Sequence, residues 1–118
     1  MDALRSAETL VSSELIAVEA PRTLDRLRLH GSLTLEEATL RGRVVGEWLE
    51  AIDLVLLRPP VLRLAAEPLA TPLGTLDALH LATARIWRDR MGDPLVVVTH
   101  DEALGLAARA YGFDVAGL

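Results

Sequence analysis

Most of the 17 acidic residues in this 118-residue chain fall on polar faces or in turns, Glu36, Glu37, Glu47, Glu50, Asp89 and Asp93 among them. Glu19, Asp77 and Asp101 are placed differently. Asp101 follows directly on the most hydrophobic run, 95–99, and so stands at the carboxyl end of a predicted strand. Open parallel sheets build their sites there, although an Asp in that place is equally suited to cap the next helix. Asp77 lies near the start of an apolar helix, flanked by Leu76, Ala78 and Leu79. It is either a first-turn acid favoured by the helix dipole or a partly buried carboxylate that needs a partner. Glu19 lies in the largely apolar stretch 15–20, after the plausible caps Ser12 and Ser13. It is either a solvated helical Glu or the third member of a site. Together the three make an oxygen-only donor set near the top edge of a predicted sheet, which suits Mg²⁺ or Mn²⁺. Such a set commonly positions a phosphodiester and an attacking water.

Other chemistry finds less support. His80 shares a helical face with Asp77, and a packed, hydrogen-bonded histidine is its plainer role. His100 occupies the strand-to-helix turn beside Asp101, as a solvated turn residue or a substrate contact, and His30 beside Gly31 marks a helix end. No Gly-rich phosphate loop, nucleophile elbow or HExxH helix is present, and Ser12 and Ser13 have no evident base.

The elements that must hold these carboxylates alternate between two kinds. Short buried runs at 9–11, 54–57, 95–98 and 113–116 read as strands. Longer segments have helical spacing. Leu40, Val44, Trp48 and Ile52, with Val45 and Leu49, form one wide stripe, and Thr34 and Glu37 have capping-box spacing, so a helix over 34–52 is expected. A second helix runs over 76–90. A third runs over 101–111, with Gly112 suited to the position after its end. Residues 13–29 read as a helix that kinks or restarts at Pro21. The Pro-rich stretch 58–75 reads as a crossover carrying one short helix over 61–67. Strands alternating with helices predict an α/β fold of three layers, helices covering both faces of a parallel sheet, in one domain over 1–118.

Composition narrows the classes further. At 51% hydrophobic and 25% charged residues, a disordered or low-complexity chain is excluded. No apolar run approaches the roughly 20 residues of a membrane span, and no basic-then-apolar leader opens the sequence. The absence of cysteine excludes disulfides and thiolate metal sites and fits a cytoplasmic protein. Twelve Arg, no Lys and a net charge of −5 do not describe a non-specific nucleic-acid binder, but carboxylates that hold metal ions reconcile an acidic chain with nucleic-acid chemistry. The missing Lys also argues against a phosphoacceptor receiver domain, which is likewise acidic and Mg²⁺-dependent.

Three blocks in order resemble the PIN-domain family. Residues 74–84, GTLDALHLATA, resemble its "LDALHLATA" block. Residues 96–104, VVVTHDEAL, resemble "hhTxDxxL", and 107–115 continue it as "AARxxGhxV". Residues 10–22 are similar to the block around the family's Glu. Within the family, the VapC-like toxins of bacterial toxin–antitoxin pairs are nearest. The resemblance implies a PIN-like α/β/α fold and a metal-dependent ribonuclease. Its acids carry over as Glu19, Asp77 and Asp101, with Mg²⁺ or Mn²⁺ as cofactor, and Thr99 matches the hydroxyl two residues before the last acid. The partners implied are an RNA substrate, a cognate antitoxin protein and a second copy of the chain in a homodimer, with no membrane. The family's opening strand, which ends in an Asp ("hhhDTSxhh"), has no counterpart here, and Asp2 has only Met1 before it. Residues 1–8 instead resemble the tail of the family's first helix.

Two functions follow as expectations. One is an RNA endonuclease, toxin of a toxin–antitoxin pair, with Arg22 or Arg85 as candidate contacts to the RNA backbone. The other is a catalytically impaired PIN-like module that binds an antitoxin or another partner.

Overall fold

The computed structural model describes residues 9–118, so the reading of residues 1–8 lies outside the described residues. The elements are β1 (Val11–Ser13), α1 (Ile16–Leu29), α2 (Leu35–Ala51), β2 (Asp53–Val55), α3 (Pro59–Ala65), α4 (Thr75–Met91), β3 (Val96–Val98), α5 (Glu102–Ala110) and β4 (Asp114–Ala116). The chain divides into two compact units at the boundary between Leu54 and Val55.

In the unit of residues 9–54, β1 pairs with β2, and the Asp53 N–H donates to Leu10 O at 2.9 Å. The strand falls two residues later than the run 9–11, because Ser13 turns inward and is buried. Its hydroxyl accepts from the Leu15 N–H at 3.2 Å, but neither Ser12 nor Ser13 is the N-cap of α1; Leu15 holds that position. The helix runs unbroken through Pro21, where a kink or restart was expected. Pro21 and Ala17 are both exposed, so water can satisfy the Ala17 carbonyl, which lacks an N–H partner at Pro21. The Thr34 capping box forms in full: Glu37 N–H donates to Thr34 Oγ1 and Thr34 N–H to Glu37 Oε1, both at 3.0 Å. The inner face of α2 is rotated from the expected stripe. Val45, Trp48 and Leu49 are half-buried, whereas Leu40 and Val44 are 60% and 52% exposed. A stripe this wide exceeds what α1 covers, and the surplus faces solvent.

In the unit of residues 55–118, α3 starts two residues before the expected 61–67, since Pro59 and Pro60 fit a first turn that needs no N–H. It packs on α4. Leu81 of α4, Leu104, Ala107 and Ala108 of α5, and Phe113 form the core, with Leu95, Val97 and Val115 against it. The last turn of α4 holds this arrangement together. Arg88 donates to Tyr111 O at 2.8 Å and lies 3.9 Å from the Phe113 ring centroid. Gly112 takes a left-handed φ of 85° just past α5, as its place in the sequence predicts. β3 and β4 run parallel, with Val96 opposite Asp114 and Val98 opposite Ala116.

The α/β class stands, with two departures from the expected sheet. Among the described residues the four strands form two two-stranded sheets, β1–β2 and β3–β4. β3 is also not buried on both faces: Val96 and Val98 are 50% and 41% exposed. The core packs against Val97 alone of the three valines, so only one face of the strand is covered.

Candidate active site

Each predicted acid sits near the start of a helix, for a local reason. Asp101 is the N-cap of α5. Its extended backbone lets Oδ1 accept from the Leu104 N–H at 2.8 Å, which satisfies one of the free N–H groups of the first turn. The two readings of Asp101 are therefore compatible: Oδ1 caps, and the exposed carboxylate keeps Oδ2 outside that bond. Thr99, at the carboxyl end of β3, turns its hydroxyl onto the same loop, where Oγ1 accepts from the Asp101 N–H at 3.0 Å. Thr99 N–H in turn donates to Ala116 O at 3.0 Å. The strand pairing thus fixes the threonine, and the threonine fixes the backbone of the acid.

Asp77 is in the first turn of α4, whose N-cap Gly74 supplies no side-chain bond. Asp77 is half-buried beside the buried Ala78. Asp77 has a partner, and a carboxylate in that setting needs one. Glu19 is half-buried in the first turn of α1, not a fully solvated helical Glu, and it too has a partner. It belongs to the 9–54 unit, whereas Asp77, Thr99 and Asp101 belong to the other. Among the described residues no three His, Asp or Glu side chains are gathered closely enough to hold a metal ion.

The basic candidates have structural partners. Arg85 lies over the Tyr111 ring at 4.0 Å. Arg22 pairs with Asp25 at 3.0 Å on an exposed face. The hydrogen bond from Arg28, with that from Arg22 also contributing, holds the Asp25 carboxyl below its usual range. His80 is half-buried with a partner. His100 is exposed, and its ring meets Gly117 O at 2.7 Å.

One feature was not legible in the sequence. An open cavity of about 840 Å³ lies between α3 and the start of α4, lined by Leu62, Leu69, Thr71, Leu73 and Leu79 among others. Thr71 Oγ1 is buried there without a hydrogen-bond partner. The proline-broken stretch that forms its wall carries no periodic signal from which the cavity could be read.

The parallel β3–β4 pair carries Thr99 and Asp101 at its carboxyl end, and α4 opens on an acidic first turn. The PIN-domain sequence profile matches residues 1–110, and the chain belongs to the PIN-domain family. Members of this family are generally nucleases that use divalent metal ions. Neither a curated protein sequence nor a solved structure matches the chain. No helix among the described residues is long and apolar enough to cross a membrane.

Proposed function

We propose that the protein is a metal-dependent RNA endonuclease, the VapC-like toxin of a toxin–antitoxin pair, working as one domain over 1–118. Glu19, Asp77 and Asp101 hold Mg²⁺ or Mn²⁺, and Thr99 orients the last of them. The observation that carries this reading is the loop at the end of β3, in a chain of a metal-using nuclease family. There the Thr99 hydroxyl and the α5 cap fix an exposed carboxylate. The donor set, carboxylate oxygens without sulfur, fits a hard divalent cation. When bound, such a cation lowers the pKa of water and neutralises charge on a phosphodiester. Asp101 contributes one anchored and one free oxygen, and Asp77 adds negative charge at the start of α4. Hydrolysis leaves a 5′-phosphate and a 3′-hydroxyl. The test is incubation of the full chain with RNA, with and without Mn²⁺, and analysis of the product ends. Cleavage that is insensitive to chelation overturns the reading.

The same reading gives the family's opening strand and its Asp no counterpart in this chain. A homodimer and an antitoxin complete the proposal. Their support is the surplus apolar surface of α1 and α2, where Val18, Leu29, Leu35, Leu40 and Val44 are exposed. A second reading is a catalytically impaired module that binds a partner, and the exposed apolar surface of α1 and α2 supports it as well. RNA cleavage separates the two.

A further inference from the structure

The turn that carries Asp101 is held from an unexpected direction. Just beyond β4 the chain bends back over it. Gly117 has a φ of +96°, and a Cβ placed on it would stand 2.8 Å from Thr99 O, so its backbone lies directly against that of Thr99. The conformation and the space both require glycine. Gly117 O meets His100 Nδ1 at 2.7 Å. Since a carbonyl can only accept, the ring donates. One residue further, Leu118 reaches the first turn of α5, where a Cβ on Gly105 would stand 2.8 Å from its Cδ1. Thr99, His100 and Gly105 are thus each touched by residues 117–118, and all three adjoin Asp101. The PIN profile matches only residues 1–110, so this contact comes from chain outside the matched region.

We infer that Gly117 and His100 form a clasp that sets the position of the Asp101 carboxylate, and that both are positioning residues of the site. The clasp presses on Thr99, Thr99 Oγ1 holds the Asp101 N–H, and Asp101 Oδ1 holds the Leu104 N–H. Releasing either end frees the carboxylate to swing with the turn. The importance of that freedom rests on Asp101 being a metal ligand; the clasp itself does not.

The test uses the full chain in four forms: wild type, His100→Phe, His100→Asn and Gly117→Ala. Phe removes the donor. Asn places an amide N–H where Nδ1 was. Ala is barred by both φ and space. Two quantities are read by NMR: hydrogen exchange at the Leu104 amide in metal-free protein, and Mn²⁺ affinity from paramagnetic broadening of resonances 101–104. His100→Phe and Gly117→Ala are expected to speed Leu104 exchange about tenfold and weaken Mn²⁺ binding several-fold, while exchange at the core Leu81 amide is unchanged. His100→Asn is expected to restore both. If Gly117→Ala does not fold, the His100 pair decides alone. The clasp is overturned if His100→Phe leaves Leu104 exchange at the wild-type rate, or speeds Leu81 equally, which marks a merely structural contact. If Mn²⁺ broadens nothing in the wild type, the metal reading of Asp101 fails, and Leu104 exchange still decides the clasp.

Discussion

Replacing Asp101 in two ways separates its two roles. Asn caps a helix about as well as Asp but carries no charge, whereas Ala supplies neither cap nor charge. In Asp101→Ala the Leu104 N–H loses its 2.8 Å acceptor, a loss typical of about 1 kcal/mol. An unfolding entropy near 2.1 cal/mol/K per residue gives about 0.25 kcal/mol/K for a chain of this length, so Tm should fall by about 4 °C. Asp101→Asn should stay within about 1 °C of wild type. Cleavage behaves differently. Removing one charged ligand from a site that stabilises a phosphoryl transition state is worth about 3 kcal/mol, more than about 100-fold in rate, and both variants should lose it. Calorimetry and Mn²⁺-dependent RNA cleavage on the same samples give the answer. An Asn variant that cleaves at the wild-type rate reduces Asp101 to a cap. An Asn variant that melts as low as Ala shows that the cap bond adds nothing.

Arg88→Ala removes both the bond to Tyr111 O and the stacking on Phe113, and should cost about 2 kcal/mol in urea unfolding; Arg88→Lys should recover only part, since a point charge cannot supply the planar fork. The Thr34 N–H bond holds the Glu37 carboxyl below its ordinary 4.5, so the stabilisation it brings is complete above the unfolded pKa and fades as pH falls through the lowered one. An NMR titration should find Glu37 below 4.5 in the wild type and only part of the way back in Thr34→Ala, which loses the hydroxyl but keeps the backbone N–H. Val44→Glu should abolish self-association in sedimentation while leaving the monomer's Tm nearly unchanged, because Val44 is half exposed within its own chain. Unchanged sedimentation would remove α2 from the dimer interface.

What the sequence disclosed was local. Thr34 with Glu37, Gly112 past the end of α5 and Asp101 before it are short-range signatures, and each occurs where its spacing puts it. What it hid was relational. Periodicity located the stripe on α2 but not which part of it α1 covers, so Leu40 and Val44 read as core and are exposed. Three valines in a row suggest burial on both faces, yet only Val97 meets the core. Pro21 looked like a break because no pattern of residues tells that its missing bond lies on the wet side of the helix. The contact of His100 with Gly117 depends on the pairing of β3 with β4, which no short motif encodes. Of the candidate site, Asp101 was legible as the residue before α5 and Asp77 as one of the first turn of α4, whereas the bond from the Asp101 N–H to Thr99 Oγ1 was not.

Between residues 9 and 54 only Ser13 and Leu33 are buried, and neither α1 nor α2 contains a buried residue. A segment that hides so little apolar surface loses little by opening, so its local unfolding free energy lies well below that of residues 55–118. Proteases cut chains in their opened state, and the exposed link at Gly31 and Ser32 between the two helices is an open target. A partner seated on these helices would then lengthen the life of the protein in a cell. A partner present at 100 times its dissociation constant closes the segment by about 2.7 kcal/mol, roughly a hundredfold in the fraction exposed to cleavage. Binding at α1 and α2 would thus govern how much of the protein exists as well as what it does.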